Sequence, residues 1–156
     1  MRLFYSNFTN KVDRKGRVSL PAPFRTVITT AGHKEVVVYK HSKLGCLIGA
    51  TPSFFEDLEA RIDTAHGQDS DEYMALANIS FAQSKLISFD PDEGRMVLPE
   101  DLRGKAGISD AAVFVGFGKT FQIWEPAAWA AQERLLEERA RALDSGLKPV
   151  GRGEAS

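Results

Sequence analysis

Between Asp13 and Arg17 the chain reads Asp-Arg-Lys-Gly-Arg, three bases and one acid around a glycine. An aspartate at the mouth of a turn accepts backbone N–H groups and holds the turn shut. It also stands within reach of an ion pair with Arg17, at the start of the segment that follows. Arg14 and Lys15 then project outward, and Gly16 keeps the backbone close to any partner. Cationic groups on such a loop suit DNA, where they meet phosphates or guanine edges. Taken alone, the same five residues equally describe a surface hairpin with solvated charges.

The frame around the loop occurs twice. Gly16, Arg17, Leu20, Pro21 and Arg25 meet Gly94, Arg95, Leu98, Pro99 and Arg103 at a constant offset of 78. Ala31-Gly32 is echoed by Ala106-Gly107, and Pro52 with Phe55 by Pro126 with Trp129. An internal repeat of this length defines two units, residues 1–80 and 81–143, followed by a tail-like segment, 144–156. The copies differ in the loop. Pro91, not an aspartate, stands four residues before Arg95; Asp90 is five back, and Asp90, Asp92 and Glu93 make the second loop longer by one residue and acidic.

The elements that must position these loops read alike in both units. An extended segment (Leu3–Phe8 or Lys85–Phe89) leads to a turn in which Gly16 or Gly94 supplies a positive φ. A short strand follows, Arg17–Leu20 or Arg95–Leu98. Pro21 and Pro99 open short helices that end near Gly32 and Gly107. Strands are expected at Val36–Tyr39, Leu44–Gly49, Ala112–Phe117 and Thr120–Trp124. After Thr51-Pro52, apolar Phe54, Phe55, Leu58 and Ile62 recur at helical spacing. Residues 71–79 read as a helix capped by Ser70, and 126–143 as the longest helix, with Trp129, Leu135, Leu136 and Leu143 facing the protein.

The duplicated Asp…Gly-Arg…Leu-Pro…Arg frame resembles the MraZ family, bacterial transcriptional regulators of the division and cell-wall gene cluster that contain two AbrB-type (SpoVT/AbrB) half-domains. The resemblance spans about residues 1–143. It implies an α+β, mainly β fold in which the half-domains interleave into one pseudo-symmetric β-barrel with flanking helices. It further implies a ring-like homo-oligomer whose basic loops grip direct repeats in promoter DNA, acting as a repressor in the cytoplasm and on the nucleoid. By position, Asp13, Lys15, Gly16 and Arg17 match the first motif, and Gly94 and Arg95 the second. The DNA-contacting set is then Arg14, Lys15, Arg17 and Arg95, with Asp13, Gly16 and Gly94 structuring the turns. The acidity of the second loop leaves Arg95 as its one candidate contact. The competing reading is a protein-interaction or antitoxin-like module of the same fold family, in which residues 130–156 bind another protein.

Composition fits either reading and disfavours others. The 156 residues are 43% apolar and 26% charged, ordinary for a soluble globular chain, with a net charge of −1. The charge is unevenly spread: residues 1–25 hold six bases and one acid, whereas residues 26–80 hold four bases and eight acids. Apolar runs fall far short of the roughly 20 residues that span a bilayer, and the opening residues lack the apolar region of a secretory leader.

One cysteine, Cys46, supports neither a disulfide framework nor a cysteine zinc site. His33, His41 and His66 share no metal-ligand spacing. Gly116-Phe-Gly-Lys-Thr120 imitates a phosphate loop, yet Val113 stands where the pattern needs glycine and a strand follows instead of a helix. The charges on 133–141 read as a solvated helix face. No catalytic constellation, cofactor, metal or small-molecule substrate is expected.

Overall fold

Proline and short polar side chains set where the helices begin. A computed structural model describes residues 2–143; the segment read as a tail, 144–156, lies outside the described residues. Pro21 and Pro99 stand at the N-caps of α1 (Ala22–Thr30) and α4 (Glu100–Ala106), where a missing N–H costs no helical hydrogen bond. Thr51 caps α2 (Pro52–His66) by accepting from the Phe54 N–H, and Ser70 caps α3 (Asp71–Ala77) by accepting from that of Tyr73. Beyond α3 the backbone widens into a π-helical turn over Asn78–Ala82, where a continuation of the helix to 79 was expected. Gly107 closes α4 in the left-handed conformation; α1 ends on Ala31, next to Gly32 as expected, and Gly32 then turns the chain.

Among the described residues, eight strands form two sheets. The larger holds β1 (Asn7–Lys11), β3 (Glu35–Lys40), β4 (Leu47–Ala50), β5 (Lys85–Ser88), β7 (Ala111–Phe117) and β8 (Thr120–Trp124), in the order β1-β7-β8-β4-β3-β5, with every pairing antiparallel. β1 begins four residues later than the expected Leu3. Upstream of it only Phe4 bridges, to Gly118, and Ser6 takes a positive φ of 68° that breaks the extended run. The smaller sheet is a ribbon of β2 (Arg17–Ser19) and β6 (Arg95–Val97).

A closed barrel is therefore corrected to an open sheet plus a ribbon. The larger sheet ends at β1 and β5, and the ribbon contacts both end strands without joining either ladder. The physical reason is length: β2 and β6 have three residues each, pair with one another, and are followed within two residues by Pro21 and Pro99.

The ribbon and the larger sheet enclose one apolar core. Val18, Leu20, Met96 and Leu98 point inward from the ribbon segments, Phe24, Ile28 and Leu102 from the helices, and Val36, Leu47, Phe114, Phe121 and Ile123 from the sheet. Rings form its centre: Phe4 meets Phe24 edge-on at 5.3 Å and Phe121 at 5.0 Å, and Phe24 meets Phe121 at 4.9 Å. The strands of the two sequence units share this core, so it does not divide at residue 80. α5 (Pro126–Ala142) belongs, from residue 127 on, to a second compact unit. On it Trp129 is buried, but Leu135 and Leu136, and Leu143 just beyond its end, are exposed, contrary to the expectation that they face the protein.

Gly49 on β4 lies opposite Phe121 on β8, and its Cα sits directly against the ring, leaving no space for a Cβ. Gly49→Ala should therefore lower unfolding free energy by about 1–3 kcal/mol, the cost of overpacking a dense core. Urea denaturation measures it. Adding Phe121→Leu should recover part of the loss, giving a non-additive double-mutant cycle.

Candidate nucleic-acid interface

The two loops open the two strands of the ribbon. Because β2 and β6 run antiparallel, with Val18 opposite Met96, Arg17 opposite Val97 and Ser19 opposite Arg95, the loops leave the ribbon at opposite ends. Alternation sends Val18 and Met96 into the core and turns Arg17, Ser19, Arg95 and Val97 outward. Arg17 and Arg95 are diagonal neighbours on this outer face, about 7–8 Å apart in such a register.

One aspartate organises each loop. At the first, the N–H groups of Lys15 and Arg17 both donate to Asp13 Oδ1 at 2.9 Å, and Arg17 Nε donates to Oδ2 at 2.6 Å. The Gly16 N–H donates to the Asp13 carbonyl at 2.9 Å, with Gly16 at a φ of 85°. At the second, the Asp92 and Glu93 N–H groups donate to Asp90 Oδ1, and the Arg95 N–H donates to Oδ2 at 3.0 Å. Asp90, not Asp92, is thus the counterpart of Asp13, and the longer loop closes on three backbone N–H groups spread over both oxygens instead of two on one. The backbone N–H of Arg17 does most to hold the Asp13 carboxyl below the usual aspartate range; the Arg17 side chain and the Lys15 N–H add to it against partial desolvation. The N–H groups of Arg95, then Glu93 and Asp92, do the same for Asp90.

The predicted site residues fall on this framework. Arg14 and Lys15 are exposed at the tip of the first loop, beside an open cleft of about 420 Å³ that Ser109 and Asp110 also line. Arg17 is exposed and partly engaged, its ion pair with Asp13 tethering one nitrogen of the guanidinium. An exposed pair of this kind adds little stability; its effect is to orient the side chain. Arg95 is exposed on the same ribbon face and, among the described residues, forms no ion pair. Arg14, Lys15 and Arg17 therefore come together on one loop, and Arg95 joins Arg17 across the ribbon. Arg25 is half-buried and turned to backbone carbonyls, so it does not contribute the free charge that its place among the six N-terminal bases suggests. Ser19 and Val97 were not singled out from the sequence; period-two alternation from Arg17 and Arg95 is the signal that places them on this face.

The decoys resolve as ordinary structure. Gly116–Thr120 is the hairpin between β7 and β8. His41 accepts the Lys43 and Leu44 N–H groups on Nδ1 within the turn before β4, and desolvation, helped by Lys40 and Lys43, holds its pKa down. Cys46 is buried, which pushes its thiol up to about 12 and leaves it protonated at neutral pH. Among the described residues no group of His, Cys, Asp or Glu could hold a metal ion. No described helix is long and apolar enough to cross a membrane.

The chain is similar to known proteins along nearly all of its length. A family model described as "MraZ protein, putative antitoxin-like" matches residues 81–145. Proteins named "Transcriptional regulator MraZ" are similar along almost the whole chain. The one from Parvibaculum lavamentivorans is 38% identical, covering 98% of this chain and 99% of its own. That from Rhodospirillum rubrum is 42% identical over 91% of each, and that from Gluconacetobacter diazotrophicus is 36% identical over 97% and 96%.

Both aspartates should titrate below the ordinary value of 3.8, and side-chain carbon NMR measures this directly. Since the folded values are lowered, the loop closure they provide is fully present above the unfolded pKa. It is lost as pH falls through the lowered values. Asp13→Ala removes both acceptor oxygens and should speed exchange of the Lys15 and Arg17 amides above the lowered pKa, where the wild-type loop is closed.

Proposed function

The chain belongs to the MraZ family, and from that premise we propose that it is a sequence-specific DNA-binding transcriptional regulator, a repressor of the division and cell-wall gene cluster. The observation that carries this is the outward face of the ribbon. It presents Arg17 and Arg95 diagonally, with Arg14 and Lys15 on the adjoining loop and that loop held rigid by Asp13. A two-stranded ribbon fits the major groove of B-DNA, and arginines there reach the O6 and N7 atoms of guanine while flanking cations meet phosphate. A surface hairpin with idle charges would not need an aspartate bonded to two amides and a guanidinium.

We read the two units, 1–80 and 81–143, as AbrB-type half-domains that exchange strands. The support is the strand order. Replacing each strand of β1-β7-β8-β4-β3-β5 by its counterpart in the other unit reproduces the same order in reverse, and β1 and β5 each pair with a strand of the opposite unit. One ribbon offers few phosphate contacts, so we place several copies in a ring that engages repeated promoter boxes, raising affinity through effective concentration. Such a protein works in the cytoplasm, on the nucleoid. A second reading, an antitoxin-like interaction module, draws on the family description and on the exposed Leu135 and Leu136 of α5 with Leu143 just beyond it. A stable hetero-complex that requires residues 130–156 would favour it.

Purified protein and the duplex immediately upstream of its own gene, titrated at low and moderate salt, test the leading reading. Arg17→Ala should abolish discrimination of this duplex from a scrambled one, each lost bidentate contact costing about 1–3 kcal/mol. Lys15→Ala should weaken both duplexes alike and flatten the salt dependence by roughly one unit of log–log slope per loop engaged. Wild-type protein that binds neither duplex overturns the proposal. Equal slope losses from Lys15→Ala and Arg95→Ala would show that the acidic second loop meets phosphate as the first does.

A further inference from the structure

Two half-buried arginines that bond backbone carbonyls connect the halves of the ribbon. Arg25, on α1, donates through Nη1 to the Leu20 carbonyl at 2.6 Å and to the Glu93 carbonyl at 3.1 Å. Its Nη2 donates to the Asp92 carbonyl at 3.2 Å. Asp92 and Glu93 are the tip of the second loop, 67 and 68 residues away in sequence. The arrangement recurs with the units exchanged. Arg103, on α4, donates through Nε to the Leu98 carbonyl at 2.8 Å and lies against Gly16 of the first loop.

The glycines record how close these contacts are. A Cβ on Gly16 would stand 2.7 Å from Arg103 Nε and 2.5 Å from the Leu98 oxygen. One on Gly94 would stand 2.6 Å from both Arg25 Cδ and the Leu20 oxygen. Backbone bonds fix the approach: the Leu98 N–H donates to the Gly16 carbonyl at 2.8 Å, and the Leu20 N–H to the Gly94 carbonyl at 2.9 Å. Each loop glycine is thus needed twice, for a positive φ and for the guanidinium that lies over it.

We propose that Arg103 and Arg25 are positioning residues that act across the repeat, Arg103 setting the basic loop Asp13–Arg17 and Arg25 setting the loop Asp90–Arg95. Each half builds its loop with its own aspartate and braces it with the other half's arginine. A planar guanidinium can lie on the glycine and bond the carbonyl beyond it, through Nε in Arg103 and Nη1 in Arg25, so lysine is not an equivalent. The consequence for DNA binding rests on the function proposed above. The bracing itself does not, and it is measurable without DNA.

Amide hydrogen exchange on the full chain reads both loops at once. In Arg103→Gln the Lys15, Gly16 and Arg17 amides should exchange faster while those of Asp92, Glu93 and Arg95 keep their wild-type rates. In Arg25→Gln the pattern should reverse. An arginine that merely stabilised its own helix would instead loosen α1 or α4 and leave the distant loop alone, and that result overturns the proposal. Arg103→Lys should loosen the first loop as Gln does. Were Arg103→Gln to unfold, the Lys variant carries the same comparison, and wild-type exchange in it shows a role for charge alone and overturns the proposal.

With the upstream duplex as probe, Arg103→Gln and Arg103→Lys should both weaken binding by roughly 5- to 20-fold, about the worth of one charge-assisted hydrogen bond in affinity. The salt slope should stay unchanged, because no phosphate contact is removed. Loosened loops with undiminished affinity would refute the link to DNA binding while leaving the brace intact. Wild-type protein that fails to bind would refute the proposed function alone.

Discussion

The antiparallel pairing of β2 with β6 is the constraint on which everything else depends. It is only three residues long on each strand, yet it aligns Val18 with Met96 in the core and sets Arg17 diagonally across from Arg95 outside it. It also sets both loop glycines under the opposite unit's arginine. Shifting the register by one residue would turn the arginines inward and expose the valine and methionine, a double penalty of buried charge and lost apolar burial. The short ladder is specific because both of its faces are committed.

Much of this was legible in the sequence because the signals were local. Gly16 and Gly94 marked the turns, Pro21 and Pro99 the helix starts, and Thr51 and Ser70 the caps; each acts through its own backbone geometry within a few residues. What was not legible depended on distant partners. The barrel that the family resemblance implies gave way to an open sheet because β2 and β6 pair with each other and not with the sheet's end strands. The leucines of α5 were assigned inward from composition alone, and the helix leaves Leu135 and Leu143 more than 60% exposed. Arg25 entered the charge count as a free base because its carbonyl partners lie 67 and 68 residues away. Only the constant offset between Arg25 and Arg103 hinted that both had the same structural duty.

Shared geometry has not meant shared chemistry. Asp13 and Asp90 each close their loop by accepting backbone amides, two in the first and three in the second, and both loops lead into paired strands of one ribbon. The side chains that point away from it, Arg14 and Lys15 in one case, Pro91, Asp92 and Glu93 in the other, are opposite in charge. The frame restricts the residues that face it and leaves the outward ones open to change. A near-neutral chain can in this way carry a strongly cationic edge without raising its net charge.

The crossing of strands between units also bears on how the chain is made. β1 pairs with β7 in a register that joins Lys11 to Ala111 and Asn7 to Val115, a separation of 100 residues or more. Pairings this remote carry a large loop-closure entropy and place the fold among the slower topologies. On a ribosome adding roughly 5–20 residues per second, β1 waits about 5–20 s before the strand that will cover it has been made. Throughout that interval Phe4 and Phe8, which flank the aromatic centre of the finished core, have no β7–β8 hairpin to pack against. Folding of the N-terminal unit is thus bound to completion of the C-terminal one, and a chain truncated before β7 has no native resting place for its first strand.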